Sequence, residues 1–562
     1  MNILIGGAAG QGMETIAHLL GKALARAGFG VLAAKDYMSR VRGGHNFTCL
    51  RIEAETPWMA EQTTQLLVAL NEETYNLHRR LLTENGKIIY DPELFSIPTN
   101  TGNLVPLPLE SLSIKAGSKI MANTVAVGAV LALLNQGTSL VETLLLETFN
   151  PELAAQNIAA LHAGYNAAAK YCDGCFSLPQ SGKIGQQLYL DGNQALGMAA
   201  LASGCRFLAA YPMTPSTGIM TYLAEKQESH GVVVEQAEDE IAAINMALGA
   251  AFSGARSLTC TSGGGFSLMV EGVSLAGMTE TPLVIIMAMR PGPATGLPTR
   301  TEQGDLEFAL HAGHGEFPRA ILAATHLEDA FYRLNKAFDL AEKYQIPVIF
   351  LSDQHFADTA RTVPPFDFAK LNYERHLLTA ETMIKPYRRY RYTASGISPR
   401  ALPGQFTNET VLADSDEHDE DGHIVEDAET RRLMTEKRLR KLESLAQEME
   451  EPCLFGEQSG EVLLIGWGST YGALREACSI LQNKRVRASH LHFADLWPLP
   501  AAAIKALFPH FKQKICVENN ATGQFAALLR RETGLVVDRE ILKFDGRPFL
   551  ANEIVWEVER DV

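Results

Sequence analysis

Short runs of consecutive apolar residues recur along the chain, and each gives way to a glycine-rich or polar stretch and then to residues spaced as on one face of a helix. A run without alternation reads as a strand buried on both faces, the habit of parallel sheets. The first such set is Asn2-Ile-Leu-Ile5, the turn 6–12, an amphipathic helix over 13–27 and a second strand over 30–35. A second set has strands at 207–210, 232–236, 257–261, 282–290 and 344–353, and a third at 461–467, 486–493 and 514–518. Strands alternating with helices predict an α/β class. The expectation is three α/β domains, 1–178, 190–360 and 455–562, with a linker over 176–190. Residues 361–450 break the pattern. They read as an extended, partly acidic connecting segment ending in a charged surface or interface helix over 429–449.

Charge narrows the partners. The chain has 49 cations against 65 anions, a net charge of −16, which argues against nucleic acid as the principal partner. No apolar run reaches the length needed to cross a bilayer, and the N-terminal residues begin a strand instead of a leader, so no membrane partner and a cytoplasmic location are expected. Eight cysteines are scattered, and only Cys172 and Cys175 are close. With no second pair nearby they read as incidental, no metal site is expected on this chain, and any iron–sulfur cluster would belong to another chain.

Candidate chemistry gathers in the second set. Ala210-Tyr-Pro-Met-Thr-Pro-Ser-Thr217 is a rigid turn between a strand and a helix, with Ser216 or Thr217 placed to cap that helix. Val232-Val-Val-Glu-Gln-Ala-Glu-Asp-Glu240 ends in four carboxylates, Ser257 to Phe266 runs from a strand into a triple-glycine turn, and Arg290 ends a buried-type strand before a loop over 291–305. Ligands of open α/β sheets sit beyond the carboxyl ends of the strands. One crevice should therefore collect Thr214, Glu238, Ser262 to Gly265, Arg290 and Thr299. The N-terminal turn offers a second candidate. Gly10 and Gly12 follow a strand and Asp36 ends the next, as in dinucleotide folds, although Thr15 stands where a third glycine or alanine belongs. The basic loop with Arg40, Arg42, Gly43 and Gly44 suits a phosphate-bearing ligand or a subunit contact. A calcium loop starting at Glu417 would use Asp419, Asp421 and Gly422, but its twelfth position is Ala428.

The motifs Tyr-Pro-Met-Thr-Pro-Ser-Thr, Glu-Gln-Ala-Glu-Asp-Glu, Thr-Ser-Gly-Gly-Gly-Phe and Arg-Pro-Gly-Pro-Ala-Thr-Gly-Leu-Pro-Thr, in this order, resemble the 2-oxoacid:ferredoxin oxidoreductases. The likeness is to an alpha subunit with the gamma domain fused at its N-terminus. It implies a gamma domain, a pyrimidine-binding domain for thiamine diphosphate and a transketolase C-terminal-like domain concerned with assembly. It also implies a beta subunit that carries Mg2+, the pyrophosphate motif and a [4Fe-4S] cluster, a dimer of alpha–beta heterodimers, and ferredoxin as electron acceptor. Coenzyme A would be a substrate, with Arg40, Arg42, Gly43 and Gly44 as its candidate contacts. By this resemblance Tyr211, Pro212, Glu238, Ser262, Gly263 and Gly264 would bind the cofactor, Glu238 being the carboxylate at the pyrimidine nitrogen. Thr214, Arg290 and Thr299 would bind the 2-oxoacid, best matched to 2-oxoglutarate, with pyruvate and branched-chain 2-oxoacids as alternatives. Two rivals stand beside this reading: an NAD(P)- or flavin-dependent enzyme using the N-terminal turn, and a non-catalytic scaffold subunit.

Overall fold

A computed structural model describes residues 1–39, 43–98, 103–172, 174–179 and 187–560. It divides into two compact units, residues 1–191 with 358–365, and residues 192–357 with 366–562.

The first unit is an eight-stranded mixed sheet. Its order is Leu104–Pro106, Leu82–Tyr90, Thr64–Ala69, Asn2–Ala8, His45–Glu53, Gly30–Asp36, Ala360–Val363 and Leu188–Leu190. Most of its helices bury their apolar faces in a core with Ile3, Ile16, Leu20, Val127 and Leu161, and Tyr75 of the helix Glu72–His78 joins a second cluster with Leu4, Leu67 and Ile88. Helices Ala122–Leu133 and Pro151–Ala169 cross so closely that a β-carbon on Gly128 would lie 2.0 Å from the Leu161 carbonyl oxygen, and one on Gly164 would lie 1.9 Å from that of Val125. These glycines are there for contact between backbones.

Here the dinucleotide expectation fails. Such folds set the first two strands side by side and parallel. In this sheet His45–Glu53 lies between Asn2–Ala8 and Gly30–Asp36 and is antiparallel to both. Asp36 therefore ends a strand removed from the glycine turn. The turn itself is filled by Gln11, whose Oε1 accepts from the Ala8 amide at 2.7 Å and from Asn71 Nδ2 at 3.1 Å. Gly43 and Gly44 take positive φ values of 73° and 79°. Arg40 and Arg42 lie outside the described residues. Cys172 and Cys175 form a disulfide and so are not incidental.

The second unit carries two sheets. One has the order Asp495–Trp497, Ala320–Ala323, Pro347–Asp353, Leu283–Met289, Ser257–Thr261, Phe207–Ala210 and Val233–Gln236. All its strands are parallel except Asp495–Trp497, which comes from the C-terminal part of the chain and pairs antiparallel with Ala320–Ala323. The other sheet has the order Cys453–Phe455, Ala488–Phe493, Gly460–Trp467, Phe511–Glu518 and Arg539–Leu542. One apolar cluster joins the two, running from Ile285 and Ile321 to Ile465, Trp467 and Phe525.

The acidic segment is neither a calcium loop nor a free loop. Glu417 accepts from Arg431 at 2.6 Å and from Arg438 at 2.8 Å, so its carboxylate is already neutralised. The helix Ala428–Glu448 is not a mere surface helix either: Lys437 and Lys441 are fully buried against Glu280. Among the described residues no helix is long and apolar enough to cross a membrane, and none of them form a group of three metal-type side chains.

Candidate functional site

Parallel pairing brings the carboxyl ends of four strands to one edge. Ala210 lies beside Gln236, Leu208 beside Leu258, and Thr261 beside Met287. The residues that follow these ends therefore converge, as strand alternation with helices requires.

The proline turn is fixed from two sides. Ser216 does not cap the helix Thr217–Ala224; its hydroxyl donates to the Met213 carbonyl oxygen at 2.8 Å and closes the turn on itself. Asn193, near the start of the helix Gly192–Ala202, donates to the Pro215 carbonyl oxygen at 3.1 Å. Arg290 reaches across from its strand end, and its Nη1 donates to the Thr214 carbonyl oxygen at 2.7 Å. Thr214 and Arg290 are thus brought together, and burial pushes the Arg290 guanidinium down from its ordinary value. Tyr211 is exposed and Pro212 is half-buried beside it.

The triple glycine is not a turn. Gly263–Met278 is a helix that starts at the first of the three glycines, with Ser262 as its N-cap. Its first amides have no partner within the helix, and helix starts of this kind suit polar or anionic groups. The space is specific. A β-carbon on Gly264 would meet only the Ala294 carbonyl oxygen, at 3.8 Å, whereas one on Gly265 would lie 2.5 Å from Glu240 Oε1 and 2.1 Å from Thr261 Oγ1. One on Gly263 would lie 2.4 Å from Asp305 Oδ2. The loop 291–305 therefore meets the helix start through Ala294 and Asp305, with Thr299 buried between them along the loop. Burial pushes the Asp305 carboxyl up to about 6.

The carboxylates of the second motif separate sharply. Glu235 and Glu238 are exposed, and Asp239 is spent as the N-cap of the helix Glu240–Phe252, accepting from the Ala242 amide at 2.7 Å. Glu240 alone is buried, at 3% exposure, and its Oε1 has no hydrogen-bond partner among the described residues. Glu238, singled out from the sequence, is on the open side of the turn. Glu240, two residues on, points towards Thr261 and Gly265. Its signal in the sequence was its place as the first helical residue, one position after a good N-cap. Asn193 had no signal in isolation.

Such a set of groups suits a flat polar heterocycle. A buried carboxylate oxygen and the Ser262 hydroxyl, which is also unpartnered among the described residues, await complementary groups, because buried polar atoms are ordinarily satisfied. The glycine helix start admits the ring's close approach. An aminopyrimidine fits this set of donors and acceptors.

Comparison with known proteins gives two family matches. Residues 198–437 match the thiamine diphosphate-binding domain of the pyruvate flavodoxin/ferredoxin oxidoreductases. Residues 2–167 match the pyruvate ferredoxin/flavodoxin oxidoreductase domain. The chain is 34% identical to a 2-oxoacid:ferredoxin oxidoreductase subunit alpha of a Sulfolobus species, over 98% of this chain and 95% of that one. It is 35% identical to the 2-oxoglutarate oxidoreductase subunit KorA of Mycobacterium tuberculosis, over 72% of this chain and 62% of that one. Among solved structures it superposes on a 2-oxoglutarate:ferredoxin oxidoreductase from Magnetococcus marinus, with 2-oxoglutarate, coenzyme A and succinyl-CoA bound. The TM-score is 0.92 at 31% identity, covering 100% of this chain and 99% of that one.

Proposed function

The chain belongs to the 2-oxoacid:ferredoxin oxidoreductases as an alpha subunit, and from that premise we propose that it oxidises 2-oxoglutarate to succinyl-CoA. In this reading it works with a beta subunit, takes coenzyme A as co-substrate, releases carbon dioxide and passes two electrons to ferredoxin. The single observation that carries the reading is the buried Glu240 carboxylate, whose Oε1 has no hydrogen-bond partner among the described residues and lies against Gly265 in the first turn of the helix Gly263–Met278. Thiamine diphosphate, when bound, supplies the carbanion sink that side chains lack. Glu240 would hold its pyrimidine, with Ser262, Gly263 and Gly264 beside it. Tyr211 and Pro212, on the turn after the strand Phe207–Ala210, would contact the cofactor from the side of that turn.

Arg290 has the chemistry to bind the substrate carboxylate, since a guanidinium offers a carboxylate two parallel donors. Its bond to the Thr214 carbonyl oxygen orients it and, among the described residues, occupies only Nη1. Thr214 and Thr299 would donate to the keto and carboxylate oxygens. Arg290→Ala in the assembled enzyme is expected to raise the KM for 2-oxoglutarate about 10- to 100-fold, the worth of a charge-assisted hydrogen bond. An unchanged KM would remove Arg290 from substrate binding.

The direct test is co-production with the beta subunit and measurement of coenzyme A-dependent viologen reduction with 2-oxoglutarate, pyruvate and 2-oxoisovalerate. Preference for 2-oxoglutarate is the expected result. Preference for either of the others would reassign the substrate, and no activity with any would return the chain to a scaffold role.

A further inference from the structure

The C-terminal sheet has a ligand position of its own. From Gly460–Trp467 the chain crosses through the helix Tyr471–Asn483 to Ala488–Phe493, on one side. From Phe511–Glu518 it crosses through the helix Gln524–Thr533 to Arg539–Leu542, on the other side. The two departing strands are parallel neighbours. The crevice between their carboxyl ends is thus a switch point, the place where open α/β sheets take ligands. Gln303 fills it.

Gln303 belongs to the loop 291–305, far from this sheet in sequence, and is fully buried. Its Nε2 donates to the Trp467 carbonyl oxygen at 2.8 Å, at the end of one strand. Its Oε1 accepts from the Asn519 amide at 3.0 Å, just past the end of the other. Its own amide donates to the Asn519 carbonyl oxygen at 2.7 Å, and its carbonyl oxygen accepts from Asn520 Nδ2 at 3.2 Å. Gln524 Nε2 adds a bond to the Gly304 carbonyl oxygen at 2.8 Å. The receptor is rigid. Buried Glu518 accepts from the Phe525 and Ala526 amides, Asn520 Nδ2 and Trp467 Nε1, at 2.8, 3.0, 2.9 and 3.2 Å.

We propose that Gln303 is a positioning residue for the 2-oxoacid, and that the C-terminal sheet is the receptor that holds the substrate loop through it. Both backbone groups and both side-chain atoms of Gln303 are engaged, so the loop has one register there. Four residues before it stands Thr299, and two residues after it stands Asp305, against the start of the helix Gly263–Met278. A loop released at Gln303 would lose the placement of both. The C-terminal part of the chain then serves substrate acceptance as well as assembly. This inference rests on the function proposed above.

The test uses the alpha–beta complex with Gln303→Ala, Gln303→Glu and Gln524→Ala. In Gln303→Ala the KM for the preferred 2-oxoacid is expected to rise about 10- to 100-fold, the usual penalty for a misplaced contact, while the KM for coenzyme A stays put. Gln303→Glu keeps the volume but loses the donor to Trp467, and should resemble the alanine variant; behaviour like wild type would mean that the residue only packs, and would overturn the proposal. Hydrogen exchange of residues 296–305 should be faster in both Gln303 variants and, to a smaller extent, in Gln524→Ala, whose side chain is partly exposed. Unchanged exchange in all three would also overturn it. The exchange measurement needs no activity, so a wild-type complex inactive towards every 2-oxoacid would count against the proposed function alone.

Discussion

Glu240→Gln is expected to lower kcat of the assembled enzyme about 10²- to 10⁴-fold, the range of a positioned proton-handling group. Glu238→Gln should leave kcat within about twofold, as surface changes do. The contrast follows from burial. Glu240 is 3% exposed with an unpartnered oxygen beside Gly265, whereas Glu238 is exposed on the strand-end turn. The amide in Glu240→Gln preserves the volume, and the wild-type oxygen has no partner among the described residues to lose, so the variant should unfold at or above the wild-type temperature. Ligand binding to the native state raises that temperature. Thiamine diphosphate with Mg2+ should therefore raise it for the wild-type complex and for Glu238→Gln, and hardly at all for Glu240→Gln. If Glu238→Gln lost the activity and the thermal response instead, the assignment would be reversed.

What the sequence showed of this site was its edges. The strands at 207–210, 257–261 and 282–290 are short apolar runs whose ends can be read directly, and parallel pairing then brings the loops with Thr214 and Ser262 and the strand end at Arg290 to one edge. Which carboxylate of Glu235, Glu238, Asp239 and Glu240 turns inwards could not be read from spacing. It depends on where the helix begins, and Asp239 as N-cap settles that by one residue. The triple glycine looked like a turn because glycine is a poor helix former. Tertiary contact overrides propensity there, since a β-carbon at Gly265 would strike Thr261 and Glu240. The N-terminal turn was ambiguous for another reason. A strand–turn–helix–strand sequence is the same whether the two strands lie side by side or have a third inserted between them, and His45–Glu53 is inserted. Gln303 gave no signal, because its partners Trp467 and Asn519 lie more than a hundred and fifty residues away.

The charged helix Ala428–Glu448, expected at a surface or an interface, buries two of its lysines. Alternating acidic and basic residues over 428–448 resemble a solvated face, yet Lys437 and Lys441 are 0% exposed. Both lie 2.5 Å from the Glu280 carboxylate, itself 1% exposed. Glu280 follows the C-terminal end of the helix Gly263–Met278, whose first residues form the candidate cofactor cradle. Burial alone would raise the Glu280 carboxyl; the ammonium groups of Lys437 and Lys441 and the Arg389 guanidinium outweigh it and hold the group well below the usual carboxylate range. A depressed folded value makes the contribution full above the unfolded value, near pH 4, and lost only as pH falls towards the folded one. On the acid side the pairing should thus be full down to about pH 4; on the alkaline side burial lowers the Lys437 and Lys441 ammonium groups, Lys441 to about 8, so the pairing weakens as pH rises through that value. Glu280→Gln leaves two buried ammonium groups facing no carboxylate, and breaking such a pair costs about 3–5 kcal/mol. That corresponds to a fall of roughly 10 °C in Tm for a unit of this size. Replacing all three residues with methionine should recover most of the loss, since a buried ion cluster and an apolar one of similar volume differ little in stability. Thermal unfolding of the two variants decides the matter: a Glu280→Gln change of under about 1 kcal/mol, the ordinary size of a point substitution, would show that water reaches the lysines and that the helix is held by its apolar contacts alone.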